Sequence, residues 1–173
     1  MSFHVRQGTP ADAFTLARLR YEFRSASGGA CEDEGEFLER CAGWMAERLS
    51  GEGGWLCWVA EGEARIVGNV WLQLFEKIPN PSGEPERHAY LTNFYVGESA
   101  RGRGLGAEML STALEFCATR GVHAVILWPT ERSRPLYLRH GFSRPGGILE
   151  LRLADAPGSY SAPAPGPSIR GLG

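Results

Sequence analysis

The sequence predicts an α/β fold, and three observations carry that expectation. Apolar residues recur at helical spacing in two segments of the N-terminal half and again after residue 104. Two strand-like runs are joined across a short polar turn near Gly62. A third apolar run leads through a glycine-rich turn straight into a helix. At 173 residues, 43% of them hydrophobic, the chain is long enough for one core.

Thr9-Pro10-Ala11-Asp12 reads as a helix start: a hydroxyl cap, a proline at the first helical position and an acid in the first turn. Leu16, Leu19 and Phe23 then form a buried stripe. A second helical pattern places Phe37, Cys41, Trp44, Met45 and Leu49 on one side. Before it lies an acidic cluster, Glu32-Asp33-Glu34 with Glu36 and Glu39, whose simplest reading is a solvated loop and helix start. Trp55 to Ala60 and Ile66 to Phe75 are strands joined at Glu61-Gly62-Glu63.

Residues 90 to 142 are the most specific part. The run Tyr90-Leu91-Thr92-Asn93-Phe94-Tyr95-Val96 ends just before Arg101-Gly102-Arg103-Gly104-Leu105-Gly106, which opens a helix. Glycines there let backbone approach a ligand, and the first N–H groups of a helix point outward at an anion. Arg101 and Arg103 add positive charge, so the expected guest is a pyrophosphate. The helix buries Leu105, Met109 and Phe116 on one stripe and Leu110, Leu114 and Cys117 on the adjoining one, with Arg120 in its last turn and Gly121 as its stop. His123 to Trp128 makes a short buried strand that Pro129 ends, and Ser133 to His140 forms one more helix before Gly141-Phe142.

Two families use such a turn. Gly102-x-Gly104-x-x-Ala107 satisfies the dinucleotide fingerprint, with Glu131 downstream for a ribose. That turn should follow its strand directly, however, and here Gly97-Glu98-Ser99-Ala100 intervene. The pattern Arg-x-x-Gly-x-Gly fits every position from Arg101 to Gly106. Together with Tyr137-Leu138-Arg139-His140-Gly141-Phe142, it makes the chain resemble the GNAT superfamily of N-acetyltransferases, which move an acetyl group from acetyl-CoA to an amine.

The resemblance implies a mixed, mostly antiparallel central sheet flanked by helices, with two strands splayed at the CoA site. It implies that the strand segment Phe94, Tyr95, Val96 offers backbone groups to the pantetheine arm, the N–H of Val96 receiving the thioester oxygen. Arg101, Gly102, Arg103, Gly104, Leu105 and Gly106 would take the pyrophosphate, and Thr130 and Ser133 stand where family members place small or polar residues near the cofactor. Tyr137 holds the place of the tyrosine that protonates the leaving thiolate; its alternative is a core aromatic. In the family a base or water-holding residue is often found at the places of Tyr90 and Thr92, and neither is a good base near pH 7. Strand alternation puts His88, Tyr90 and Thr92 on the face that also carries Phe94 and Val96, so a water chain ending at His88 is one route for the proton. The acidic cluster would border the acceptor cleft and attract a small cationic amine.

Other functions remain open at this stage: an acetyl-CoA sensor without turnover, or transfer to a protein amine. A net charge of −2 argues against nucleic acid as a partner. No apolar stretch is long enough to cross a membrane and Met1-Ser2-Phe3-His4 has no signal-peptide layout, so a cytoplasmic protein is expected. Cys31, Cys41, Cys57 and Cys117 lack the close pairs of a metal site and read as reduced thiols. Residues 1–153 form the expected domain. Residues 154–173, with Pro157, Pro163, Pro165 and Pro167, read as a tail that cannot bury enough surface to order itself. A homodimer is common in the family.

Overall fold

The computed structural model describes residues 3–26, 28, 32–51, 53–63, 65–81 and 83–144. Its elements all lie in the compact unit Met1–Gly141, and the chain from Phe142 on forms a second unit. The expected tail from Ala154 lies outside the described residues.

Five strands make one sheet in sequence order: β1 (His4–Gln7), β2 (Trp55–Gly62), β3 (Arg65–Glu76), β4 (Arg87–Val96) and β5 (Val122–Ile126). The first three pairings are antiparallel, while β4 and β5 run parallel. That parallel step needs a crossover, and the glycine-rich turn at 101–106 with the helix after it supplies it. The helices are α1 (Ala13–Ser25), α2 (Glu34–Leu49), α3 (Leu105–Thr119) and α4 (Arg134–Arg139). The expected α/β fold with a mixed, mostly antiparallel sheet is therefore the observed one. No helix among the described residues is long and apolar enough to cross a membrane.

The start of α1 follows from its cap. Pro10–Asp12 form a 3-10 turn, and Asp12 reaches back to accept the Thr9 N–H at 2.8 Å and the Thr9 hydroxyl at 3.0 Å. Arg6 holds both carboxylate oxygens of Asp12 at 2.9 Å and reaches Glu61 at 2.8 Å, tying β1, the entry to α1 and the β2–β3 hairpin together. Those bonds pull the Asp12 pKa down to about 2.

Each sheet face packs its own helices. On one, Ala13, Leu16 and Ala17 of α1 and Met45 of α2 cluster with Cys57, Val59 and Trp71. On the other, Trp58 meets Phe116 of α3 edge-on at 5.1 Å. The stripe expected for α2 is shallower than its spacing suggested. Met45 is buried, but Trp44 is 39% exposed because it lies along the rim, edge-on to Trp55 at 5.2 Å.

Candidate functional site

The site begins with a break in sheet pairing. β4 matches β5 only from Arg87 to Tyr90, so among the described residues Leu91 to Val96 continue without a strand beside them on that side. Backbone groups along that edge are left to find other partners. The Val96 carbonyl has one, since Arg101 Nε donates to it at 2.8 Å.

On its other side β4 carries a bulge. Trp71 pairs with Thr92 and Asn69 with Tyr95, so the two-residue step on β3 faces a three-residue step on β4. Asn93 is the pivot, with φ of +46°, a left-handed conformation that asparagine tolerates better than most residues. Its Nδ2 donates to the buried Asn69 Oδ1 at 3.3 Å, and its own Oδ1 accepts from Arg20 of α1 at 3.2 Å.

The bulge overturns the alternation expected for this strand. Thr92 and Tyr95 lie opposite Trp71 and Asn69, on the face of α1 and α2, and Tyr95 packs on Phe23 at 5.4 Å. Phe94 faces α3 instead, its Cζ 3.8 Å from where a Cβ on Gly106 would sit, and Val96 pairs with Gly68 beneath Met109. One extra residue thus moves Phe94 and Val96 to the face opposite His88, Tyr90 and Thr92.

His88 lies at the far end of β4 from the segment Phe94 to Val96. It lies four residues before Thr92, roughly 13 Å along the strand, stacked on His123 at 5.5 Å and beside Phe75. Burial, with the charges of Lys77 and His123, lowers its pKa, and its Nε2 is a buried atom without a partner among the described residues. His88 lies on the face of Tyr90 and Thr92, so a water chain from it would run along the strand past both side chains. Tyr90 meets Trp128 edge-on at 4.9 Å.

The glycine turn is built as its sequence demands. Gly102 and Gly104 have φ of +77° and +79°, and Gly104 caps α3, its carbonyl accepting Ala107 N–H at 2.9 Å and Glu108 N–H at 3.1 Å. Leu105 plugs the helix start into the core, 2% exposed. Both arginines of the turn lie over aromatic rings. Arg101 folds back over Tyr95, 5.7 Å from the ring, and also contacts Glu98 at 3.3 Å. Arg103 lies over Phe3. Thr130 and Ser133 bind one another, with hydroxyl oxygens 2.9 Å apart, and stitch the turn that starts α4.

Tyr137 on α4 is 6% exposed, with its ring 6.3 Å from that of Phe94. Burial pushes its pKa up to about 12, partly offset by a hydrogen bond with Ser133. The phenol is therefore protonated throughout the physiological range. Two of the five residues of the acidic cluster are engaged in structure: Asp33 caps α2 by accepting the Glu36 N–H at 3.1 Å, and Glu32 pairs with Arg40. Sequence reasoning passed over Arg20, Asn69 and Asn93. A visible signal existed, since each asparagine interrupts an apolar strand run.

With this geometry in hand, the comparisons place the chain. Residues 16–142 match the model of the acetyltransferase (GNAT) family, and the chain belongs to that family. Mycothiol acetyltransferase of Thermomonospora curvata is 35% identical over 89 residues, half of this chain. The match spans 27% of that longer relative. Among solved structures, a predicted acetyltransferase from Clostridium acetobutylicum, determined with acetyl-CoA, superposes with a TM-score of 0.74 at 22% identity, covering 90% of this chain and 99% of that one. A GCN5-related N-acetyltransferase from Ralstonia eutropha gives 0.68 at 26% identity, covering 87% and 99%.

Proposed function

We propose that the chain is an acetyl-CoA-dependent N-acetyltransferase that moves the acetyl group to a primary amine of a small molecule by direct attack in a ternary complex. The observation that carries this reading is the edge of β4 beyond Tyr90, which has no partner strand on the β5 side among the described residues and runs into the glycine-capped start of α3 with Tyr137 packed against it. Backbone along Phe94 to Val96 can hydrogen-bond an extended amide-bearing arm as a missing strand would, and the α3 N-terminus suits a pyrophosphate. Gly102, Gly104, Leu105 and Gly106 would hold the phosphates through their main chain. Arg101 and Arg103 would supply positive field, Arg101 while bracing the Val96 carbonyl. Thr130 and Ser133 would border the same cleft from the α4 turn.

Acetyl-CoA would supply the thioester. An amine must be neutral to attack it, the developing oxyanion needs a fixed donor, and the departing thiolate benefits from a proton. The Val96 N–H is our candidate for the oxyanion donor. Tyr137, kept protonated by its burial, is our candidate acid. Among the described residues burial raises the pKa of Cys41, Cys57 and Cys117, leaving them as thiols rather than nucleophilic thiolates, and this favours direct attack over an acyl-enzyme on any of them.

The test is a panel of primary amines assayed by thiol release from acetyl-CoA, beside thermal shifts with acetyl-CoA and NAD. Stabilisation by acetyl-CoA alone, with thiol release dependent on an amine, is the expected result. Stabilisation without transfer to any amine would favour a sensor, and a response to NAD alone would overturn the reading.

A further inference from the structure

Arg20 lies in the middle of α1 on the face that covers the β4 bulge, and its environment differs from that of every comparable arginine. Of the half-buried arginines among the described residues, Arg6, Arg48, Arg101 and Arg134 each have a carboxylate within 4.0 Å. Arg20 has none. Its partners are a neutral amide oxygen, Asn93 Oδ1 at 3.2 Å, and the ring of Phe23 at 5.9 Å. Burial and the nearby Arg24 both disfavour its charge, and the groups opposing them are Cys41 and Tyr90 rather than an acid. A guanidinium stays charged at neutral pH, so a half-buried one without a counter-ion is a costly arrangement unless an anion arrives.

The surroundings point the same way. Asn69 Nδ2 and Trp71 Nε1, on the same sheet face, are buried donors without an acceptor among the described residues. This face is therefore rich in donors and short of acceptors. Asn93, which Arg20 touches, immediately precedes Phe94 to Val96, the segment assigned above to the acetyl carrier. A group held by the Arg20 fork would lie beside that segment, on the sheet face opposite the phosphate turn.

We propose that Arg20 recognises an anionic group on the acceptor, and that the acceptor is a primary amine bearing a carboxylate, such as an α-amino acid or a molecule that ends in one. The planar guanidinium matches a carboxylate in two parallel hydrogen bonds and would set the neighbouring amine at a fixed distance from the reacting carbonyl. Arg20 and Arg24 also repel a purely cationic amine, which turns the acceptor away from the small cationic amine that the acidic cluster suggested. The inference rests on the acetyltransferase reading and refines its substrate.

The experiment compares matched probes: L-amino acids, their carboxamides, the decarboxylated amines and aminoalkyl phosphates of similar size. Thiol release from acetyl-CoA is measured for the native protein, Arg20→Gln and Arg20→Lys, with melting temperature and acetyl-CoA affinity as folding controls. The native protein should favour carboxylates over carboxamides by roughly tenfold or more in kcat/KM, carried mainly in KM. Arg20→Gln should erase that ratio and Arg20→Lys should keep part of it. A native preference for carboxamides, decarboxylated amines or phosphates, or a ratio that survives Arg20→Gln, would overturn the proposal. If no probe is acetylated, calorimetric binding to the CoA-loaded protein decides. Carboxylate binding that is lost in Arg20→Gln upholds the anion site while the transfer reading falls, and no carboxylate binding sinks both.

Discussion

The ring of Phe94 lies 6.3 Å from that of Tyr137, tilted by 56°, and this contact joins the unpaired edge of β4 to the short helix α4. It exists because the bulge at Asn93 turns Phe94 toward α3 and α4. The backbone proposed for the pantetheine arm and the hydroxyl proposed for the thiolate thereby belong to neighbouring residues in space.

Tyr137→Phe keeps that ring contact and removes only the hydroxyl. Turnover on the best amine should fall by roughly 10²-fold or more, with acetyl-CoA affinity unchanged. Full turnover in the variant would remove Tyr137 from the mechanism. Because burial holds the native phenol near 12, the rate should rise as the amine loses its proton and should not decline at the ordinary phenol pKa of 10. A fall of kcat centred near pH 10 would show that the acid titrates as an exposed group.

Gly106→Glu tests the phosphate turn. A Cβ at Gly106 would sit 3.7 Å from Leu136 and 3.8 Å from Phe94, an ordinary contact, so the backbone tolerates a side chain there. A carboxylate at the helix start should then abolish acetyl-CoA binding in a protein that still folds. Unchanged affinity by calorimetry would move the site elsewhere. Gly104 is a poorer position for this test, since its φ of +79° makes any side chain costly by about 1 kcal/mol.

Arg101→Ala should weaken acetyl-CoA binding and also lower the melting temperature, because the side chain braces the Val96 carbonyl and packs on Tyr95. Arg103→Ala should affect affinity and its salt dependence with little change in melting temperature. Equal losses for CoA and dephospho-CoA would put the arginine field at the pyrophosphate, and a loss confined to CoA would put it at the ribose phosphate.

Asp12 links folding to pH. Its folded pKa, about 2, lies below the usual 3.8, so its contribution is present above pH 4 and is lost as the pH falls from about 4 to 2. The contribution is about 2 kcal/mol. Asp12→Asn should cost roughly that at pH 7 and flatten acid unfolding in the same window, as read by urea denaturation. An unchanged acid limb would show that the Arg6 network does not govern it.

Local information determined the elements and the motif. The cap at Thr9 and Asp12, the turn just after Gly62 and the glycines of 102–106 act through backbone conformation within a few residues, so their meaning is written in the chain. The position of Tyr137 was legible for the same reason, as a fixed spacing from Gly141. What alternation could not reveal was the bulge, because a register step is a property of two paired strands and not of one. Only the pairing of Asn69 with Tyr95 shows that Phe94 and Val96 leave the face of His88, Tyr90 and Thr92. Charge partners were decided at the same level. Arg101 turns back to the Val96 carbonyl and Arg20 is left half-buried without an acid among the described residues, because the partner a charged side chain finds depends on which groups the packed sheet and helices bring within a few ångströms.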